Sequence, residues 1–81
     1  MITAPTAQTI ETLNASLDGS GFHVTEEGVI CKGARFMGMH VVTARANQAR
    51  VQVRHVVSDR LYWSGPAADI RRFTREFWAS A

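Results

Sequence analysis

Apolar residues recur at helical spacing near both ends of the chain. A first helix is predicted between Thr3, as its N-cap, and Asp18, after which glycines favour the left-handed backbone that ends helices. Its apolar face consists of Ile10, Leu13 and Leu17. A last helix is predicted to begin with Ser64 or Gly65 as N-cap and Pro66 in its first position. Its apolar face consists of Ile70, Phe73 and Phe77, with Ala67 and Trp78 beside them.

Between the two helices, apolar and polar residues alternate with the period of two that is typical of strands. The predicted strands span residues 22–25, 29–31, 36–45, 50–57 and, as a short fifth strand, 60–63. We therefore expect an α+β fold, a two-layer sandwich of an antiparallel β-meander of four to five strands with an N-terminal and a C-terminal helix. Residues 1–81 are expected to form a single domain, because this length suffices for one hydrophobic core.

A register for the two longest strands follows if the loop between them is centred on Asn47 and Gln48. The residues that then face each other are Ala44 with Val51, Val42 with Val53, and His40 with His55. This side of the sheet is predicted to be the core under the helices. A metal ion shared by His40 and His55 would need further ligands, and no CxxC or HxxxH spacing supplies them, so no metal or cofactor is expected.

The other side of the predicted sheet carries an apolar strip with a basic rim. The strip consists of Met37, Met39, Val41 and Val56, and the rim of Arg45, Arg50 and Arg54. Exposed apolar area bordered by arginine is typical of protein interfaces, and methionine suits adaptable contacts. Contact with another protein, self-association and burial under the first hairpin are all open readings of this strip.

Charge is distributed unevenly along a chain whose net charge is +2. The charged residues of the segment 1–31 are all acidic, whereas residues 32–81 contain all nine Lys and Arg residues of the chain, eight of them arginines. Arginine suits bidentate contact with carboxylate or phosphate, although GC-rich coding also produces an arginine-rich composition. The last helix adds a basic face, which either meets phosphate or is a solvated surface. The members of that face are Arg71, Arg72 and Arg75.

The sequence predicts a binding module and not an enzyme, because it contains no nucleophile elbow, HExxH or P-loop. The expected partner is an acidic protein or nucleoprotein. Size and charge fit small regulators and inhibitors carried by phages and mobile elements, such as anti-CRISPR proteins, although no residue motif supports that class. The alternatives are a nucleic-acid-binding protein that contacts phosphates through its arginine-rich C-terminal half, and a structural homodimer.

A reducing cytoplasm is the expected location. Cys31 is the single cysteine and cannot form an internal disulfide. No apolar run approaches the roughly 18 residues that span a bilayer, and the N-terminus lacks the basic and apolar regions of a secretory signal.

Overall fold

The computed structural model describes the backbone of residues 2–44 and 47–79 and the side chains of residues 4–43 and 49–76. Its elements, in chain order, are β1 (Ile2–Thr3), α1 (Ala7–Leu17), β2 (Phe22–Val24), β3 (Val29–Lys32), β4 (Arg35–Ala44), β5 (Asn47–His55), β6 (Leu61–Pro66), a 3-10 turn (Ala67–Asp69) and α2 (Ile70–Ala79). The strands form one antiparallel sheet in the order β2-β3-β4-β5-β6, and β1 pairs with the end of β4. The predicted α+β arrangement of a meander between two helices is confirmed.

Both helices lie on the same side of the sheet, which we call the covered face; the opposite side is the open face. Leu13 and Leu17 of α1 and Ile70 and Phe73 of α2 are buried in one cluster. The strand residues of that cluster are Val24, Ile30, Met39, Val41, Val51 and Val53. Each such side chain contributes about 1.5–3 kcal/mol when it leaves water. The predicted apolar face of the first helix is confirmed, whereas the side chains of Phe77 and Trp78 lie outside the described residues.

The first helix begins later than predicted. Thr6, not Thr3, is its N-cap, and the Thr6 hydroxyl accepts a hydrogen bond from the backbone N–H of Thr9 at 3.3 Å. Thr3 instead lies in β1 opposite Thr43 of β4. Pairing with β4 holds the start of the chain in extended conformation, so the helix can begin only after the buried Pro5.

The last helix also begins later, because β6 extends past the predicted strand end. Ser64 and Gly65 pair with β5, so neither is an N-cap, and Pro66 caps the 3-10 turn without a side-chain hydrogen bond. Gly65 permits the close approach of the Trp63 ring, since a Cβ at Gly65 would lie 2.6 Å from that ring. The Trp63 ring in turn packs beside Phe73 of α2, with 6.4 Å between ring centroids.

The side-chain amide of Asn14 joins α1 to the edge of the sheet. Its Oδ1 accepts from the backbone N–H of Val24 at 2.8 Å, and its Nδ2 donates to the Val24 carbonyl at 3.0 Å. The strand that contains Val24, β2, ends the strand order, so the amide makes the two bonds that a further strand would make there. This part of the edge is thereby closed to pairing with another chain.

Candidate functional site

The apolar strip predicted from the sequence lies largely in the core. Met39 and Val41 are 2% and 1% exposed on the covered face, and Met37 is half-buried against the same cluster. The prediction that Met39 and Val41 lie on the side of the sheet opposite the helices is therefore wrong, and of the three readings left open for the strip, burial applies to them, beneath the helices. Val56, the fourth member of the strip, is exposed.

The error arises from the register of β4 against β5. Val53 faces Val41 and not the predicted Val42, and the register shifts between Thr43 and Ala44 next to the loop. Because side chains alternate along a strand, a shift by one residue moves every side chain of β4 to the other face. The side chain of Val53 stays in the core in both registers, which is why only β4 is reversed.

The same shift separates the predicted histidine pair. His40 faces Arg54 on the open face, whereas His55 faces Met39 of the covered face. The two imidazoles therefore point to opposite sides of the sheet and cannot share a ligand. The His40 Nε2 atom is buried and has no hydrogen-bond partner among the described residues.

The three arginines of the predicted rim do not form one surface. The guanidinium of Arg54 is engaged internally: its Nε donates to Gln52 Oε1 at 2.9 Å, and its Nη1 donates to the Asp59 carbonyl at 2.8 Å. The Asp59 carboxylate lies 3.6 Å from the same nitrogen. Arg50 is exposed and pairs with Pro66 across β5 and β6, and Arg45 lies outside the described residues.

A different apolar surface lies at one end of the sheet. Among the residues whose side chains are described, four large hydrophobic ones are exposed, and we call them the sheet-end patch. Its members are Phe36 (53% exposed), Val56 (38%), Val57 (85%) and Leu61 (47%). All four lie where β4 begins and where the loop from β5 to β6 turns, so they occupy the same end of the fold.

Strand pairing explains why these residues are neighbours. Phe36 lies at the start of β4, and the backbone N–H of Val56 donates to the carbonyl of Gly38 on that same strand at 3.1 Å. Leu61 begins β6, the next strand, opposite Arg54 of β5. Adjacent strands are about 4.8 Å apart, so the patch spans three neighbouring strands. Gly38 of the same strand faces open space, because an added Cβ would have no atom within 4 Å.

The loop that carries Val56 and Val57 is held by its own hydrogen bonds. His55 Nδ1 accepts from the backbone N–H groups of Val57 at 3.2 Å and Ser58 at 3.1 Å. Asp59 has a positive φ of 62°, and its backbone N–H donates to the His55 carbonyl at 3.1 Å. These contacts present Val57 to solvent on an ordered turn.

Basic side chains border the sheet-end patch. Lys32 and Arg35 are exposed and face each other across the β3–β4 hairpin. The Arg60 guanidinium lies over the Tyr62 ring, 5.8 Å from its centroid. The Lys32 Nζ lies over the Phe22 ring, 5.6 Å from its centroid. The patch therefore combines apolar area with a basic rim.

Sequence reasoning missed Phe36, Val57 and Leu61. A signal was present, because the apolar pair Val56 and Val57 immediately precedes the Ser58–Asp59 turn. Turns lie at the surface, so a β-branched residue there stays in water unless another molecule covers it. Because the strands were predicted from the alternation of apolar and polar residues alone, these residues were assigned to strands and their exposure was not predicted.

The basic face predicted on the last helix lies on α2. Arg72 and Arg75 are exposed, whereas Arg71 is half-buried and its Nη1 donates to the Asp18 carbonyl at 2.7 Å. These three arginines line a cleft with Ser16, Ala68 and Asp69, and no member of the sheet-end patch lines it, so we treat them as a second surface.

A cleft of about 740 Å³ lies between the start of α1 and the 3-10 turn. Small and polar residues line it: Thr6, Ala7, Gln8, Thr9, Thr12, Ala49, Pro66, Ala67 and Ala68. Two of its hydroxyls serve the helix: Thr6 Oγ1 and Thr9 Oγ1 lie 3.1 Å apart at the N-cap. The Thr12 hydroxyl donates to the Gln8 carbonyl at 3.3 Å.

Within the described ranges, neither helix is long and apolar enough to cross a membrane. Comparison of the chain with protein-family models, with curated proteins and with solved structures finds no match.

Proposed function

We propose that this chain is a small non-enzymatic binding module whose sheet-end patch docks an acidic segment of a protein or nucleoprotein partner. One observation supports the proposal: the exposed large hydrophobic side chains of the described residues gather at the end of the sheet that also carries Lys32, Arg35 and Arg60. Apolar groups that folding leaves in water favour a partner that covers them.

The two components of this surface would act differently on binding. Burial of Val57, which is 85% exposed, would contribute about 1.5–3 kcal/mol, and burial of Phe36 and Leu61, which are about half exposed, about half as much each, before the costs of association are subtracted. The basic rim would add little net affinity, but it would accelerate encounter with an acidic partner and disfavour a basic one. We therefore expect dissociation to depend on the apolar residues and association to depend on the rim.

A regulator or inhibitor is the class of binding module that the size and charge of this chain suit, including the type carried by phages and mobile elements, such as anti-CRISPR proteins. Its place would be a reducing cytoplasm, where the half-buried Cys31 remains a free thiol.

The test is a quantitative binding assay with an identified partner. Tagged protein captures partners from a cell extract, mass spectrometry names them, and each is then purified for measurement of Kd and of association and dissociation rates. Val57→Glu and Leu61→Glu introduce charge at exposed positions of the patch, and Ala15→Glu introduces the same charge at an exposed position of α1 as a control.

We expect Val57→Glu or Leu61→Glu to weaken binding at least about tenfold, mainly through faster dissociation, with Ala15→Glu unchanged. Equal affinity of the patch variants and the control would overturn the proposal. A concentration-dependent dimer that Val57→Glu dissociates, measured by sedimentation, would assign the patch to self-association and also overturn it.

A further inference from the structure

A second cleft, of about 320 Å³, lies between the end of α1 and the start of α2. Its lining is rich in arginine and consists of Ser16, Ala68, Asp69, Arg71, Arg72 and Arg75. Three guanidinium groups face one carboxylate, so the lining is cationic. This cleft is independent of the sheet-end patch and of the function proposed for it.

The walls of this cleft are held by hydrogen bonds between the two helical segments. Ser16 Oγ donates to the Ala68 carbonyl at 2.8 Å, and Arg71 Nη1 donates to the Asp18 carbonyl at 2.7 Å. Arg71 is half-buried, and its hydrogen bond to Asp18 fixes its guanidinium at the end of α1. A guanidinium carries five N–H donors, so this bond leaves most of them for another acceptor.

The other two arginines are exposed and not neutralised within the described part of the chain. Arg72 and Arg75 have no carboxylate within ion-pair distance there, whereas Arg54 is paired with Asp59. Arg71 and Arg75 are four residues apart on α2, the spacing at which like charges on a helix repel. An anion between the arginines would convert that repulsion into attraction.

We propose that this cleft binds a phosphate group. Arginine forms two parallel N–H···O bonds with a phosphate, and three guanidinium groups within one turn of helix can surround such an anion. The Ser16 hydroxyl oxygen lies at the same wall, where it can accept a hydrogen bond from a protonated phosphate. The phosphate can belong to a small molecule or to the backbone of a nucleic acid, and the two sources differ in the size of the ligand and in its salt dependence.

The test compares two double variants that remove the same charge from different places. Arg72→Gln/Arg75→Gln alters the cleft, and Arg35→Gln/Arg60→Gln alters exposed arginines of the sheet end as the control. Amide chemical shifts are followed by NMR during titration with inorganic phosphate, with sodium chloride at equal ionic strength as reference. Labelled single-stranded and duplex DNA are titrated by fluorescence anisotropy at about 50 mM and about 200 mM salt.

We expect phosphate or DNA to shift the amides of Ser16 and of residues 69–75, and the cleft variant to bind at least about tenfold more weakly than the control variant. Saturable shifts with inorganic phosphate, and no tighter binding of DNA, identify a small phosphate as the source. DNA affinity that exceeds that of phosphate and falls steeply with salt identifies the nucleic-acid backbone.

Absence of shifts at the cleft with both ligands overturns the proposal, as does equal weakening in the two double variants, which would indicate diffuse attraction by net charge. The NMR spectrum of each variant shows whether it is folded. Arg72→Lys/Arg75→Lys serves as a second variant, because it keeps both charges and loses the bidentate geometry. We expect its affinity to lie between those of the wild type and the Gln variant.

Discussion

The two faces of the sheet are built from the same strands and differ in what covers them. On the covered face Met39, Val41 and Val53 are almost completely removed from water by α1 and α2. On the open face the intervening positions hold His40 and Arg54, both half-buried. Along β4 the core side chains therefore alternate with side chains of the open face, of which His40 is half-buried and Val42 is buried.

The two faces also differ in the polar side chains that they contain. The buried residues of the covered face are apolar apart from small polar side chains such as Thr43. On the open face, the half-buried Arg54 guanidinium donates hydrogen bonds to Gln52 Oε1 and to the Asp59 carbonyl. A buried charge without such partners costs several kcal/mol, so substitutions that add charge distinguish the faces most sharply.

The largest difference in the free energy of unfolding is expected between a carboxylate placed on the covered face and one placed on the open face. Met39→Glu puts a carboxylate among apolar side chains and should cost about 4 kcal/mol or more, enough to unfold much of so small a domain. Phe36→Glu, at an exposed position beside basic residues, should stay within about 1 kcal/mol of the wild type. Urea unfolding followed by circular dichroism measures both, and a folded Met39→Glu protein of normal stability would contradict the register of β4.

The next largest loss of stability is expected at Asn14, which joins α1 to the edge of the sheet. Asn14→Ala leaves the N–H and carbonyl of the buried Val24 without their partner and should cost about 2–3 kcal/mol. Asn14→Asp should be no milder, because its carboxylate accepts from the N–H but faces the carbonyl with no proton to donate. Thermal unfolding of both variants tests this, and an Asp variant as stable as wild type would exclude the two-bond geometry.

Substitution of two glycines of the sheet by alanine should destabilise the fold less, for two different reasons. Gly65→Ala drives a methyl group into the Trp63 ring and should cost about 2 kcal/mol by overpacking. Gly38→Ala meets open space, but its φ of +78° disfavours any L side chain, at about 1 kcal/mol. Trp63→Leu should reduce the cost of Gly65→Ala and leave that of Gly38→Ala unchanged, which a double-mutant cycle measures. Equal coupling of both glycines to Trp63 would refute the attribution of the Gly65→Ala cost to contact with the Trp63 ring.

The smallest effect is expected at the turn that presents the sheet-end patch. His55→Ala removes the acceptor of the Val57 and Ser58 amides and should cost about 1 kcal/mol, with faster hydrogen exchange of both amides. His55→Asn places a carbonyl oxygen near the position of Nδ1 and should preserve most of their protection. Equal exchange in the Ala and Asn variants would show that the ring nitrogen does not hold the turn.

Local patterns predicted much of the fold. The spacing of Leu13 and Leu17 identified the buried face of α1, and the alternation of Val51 and Val53 identified the core side of β5. Helix starts were less predictable. Thr3 and Ser64 have the chemistry of N-caps, but pairing with β4 and β5 draws both into the sheet. Capping preference is worth about 1 kcal/mol and is readily overridden by strand pairing.

The candidate site was less predictable than the fold. Among the residues predicted for binding, Val56 lies on the surface that we propose, and Met39 and Val41 lie in the core. The register shift of β4 against β5 between Thr43 and Ala44 places Met39 and Val41 on the core side, and no turn signal in the sequence marks that shift. The arginine face of α2 was predictable, because helical spacing alone places Arg72 and Arg75 together.

The sequence by itself determined the two helices and the strands β2 to β6 as elements, the apolar faces of α1 and β5, and the basic character of the C-terminal half. These properties depend on residues close to one another in the chain, whose spacing sets which side chains share a face. Only the tertiary structure decided the register of β4, the burial of Met39 and the assembly of the sheet-end patch. Pairing between distant strands depends on the packing of the whole core, and a shift by one residue exchanges core and surface.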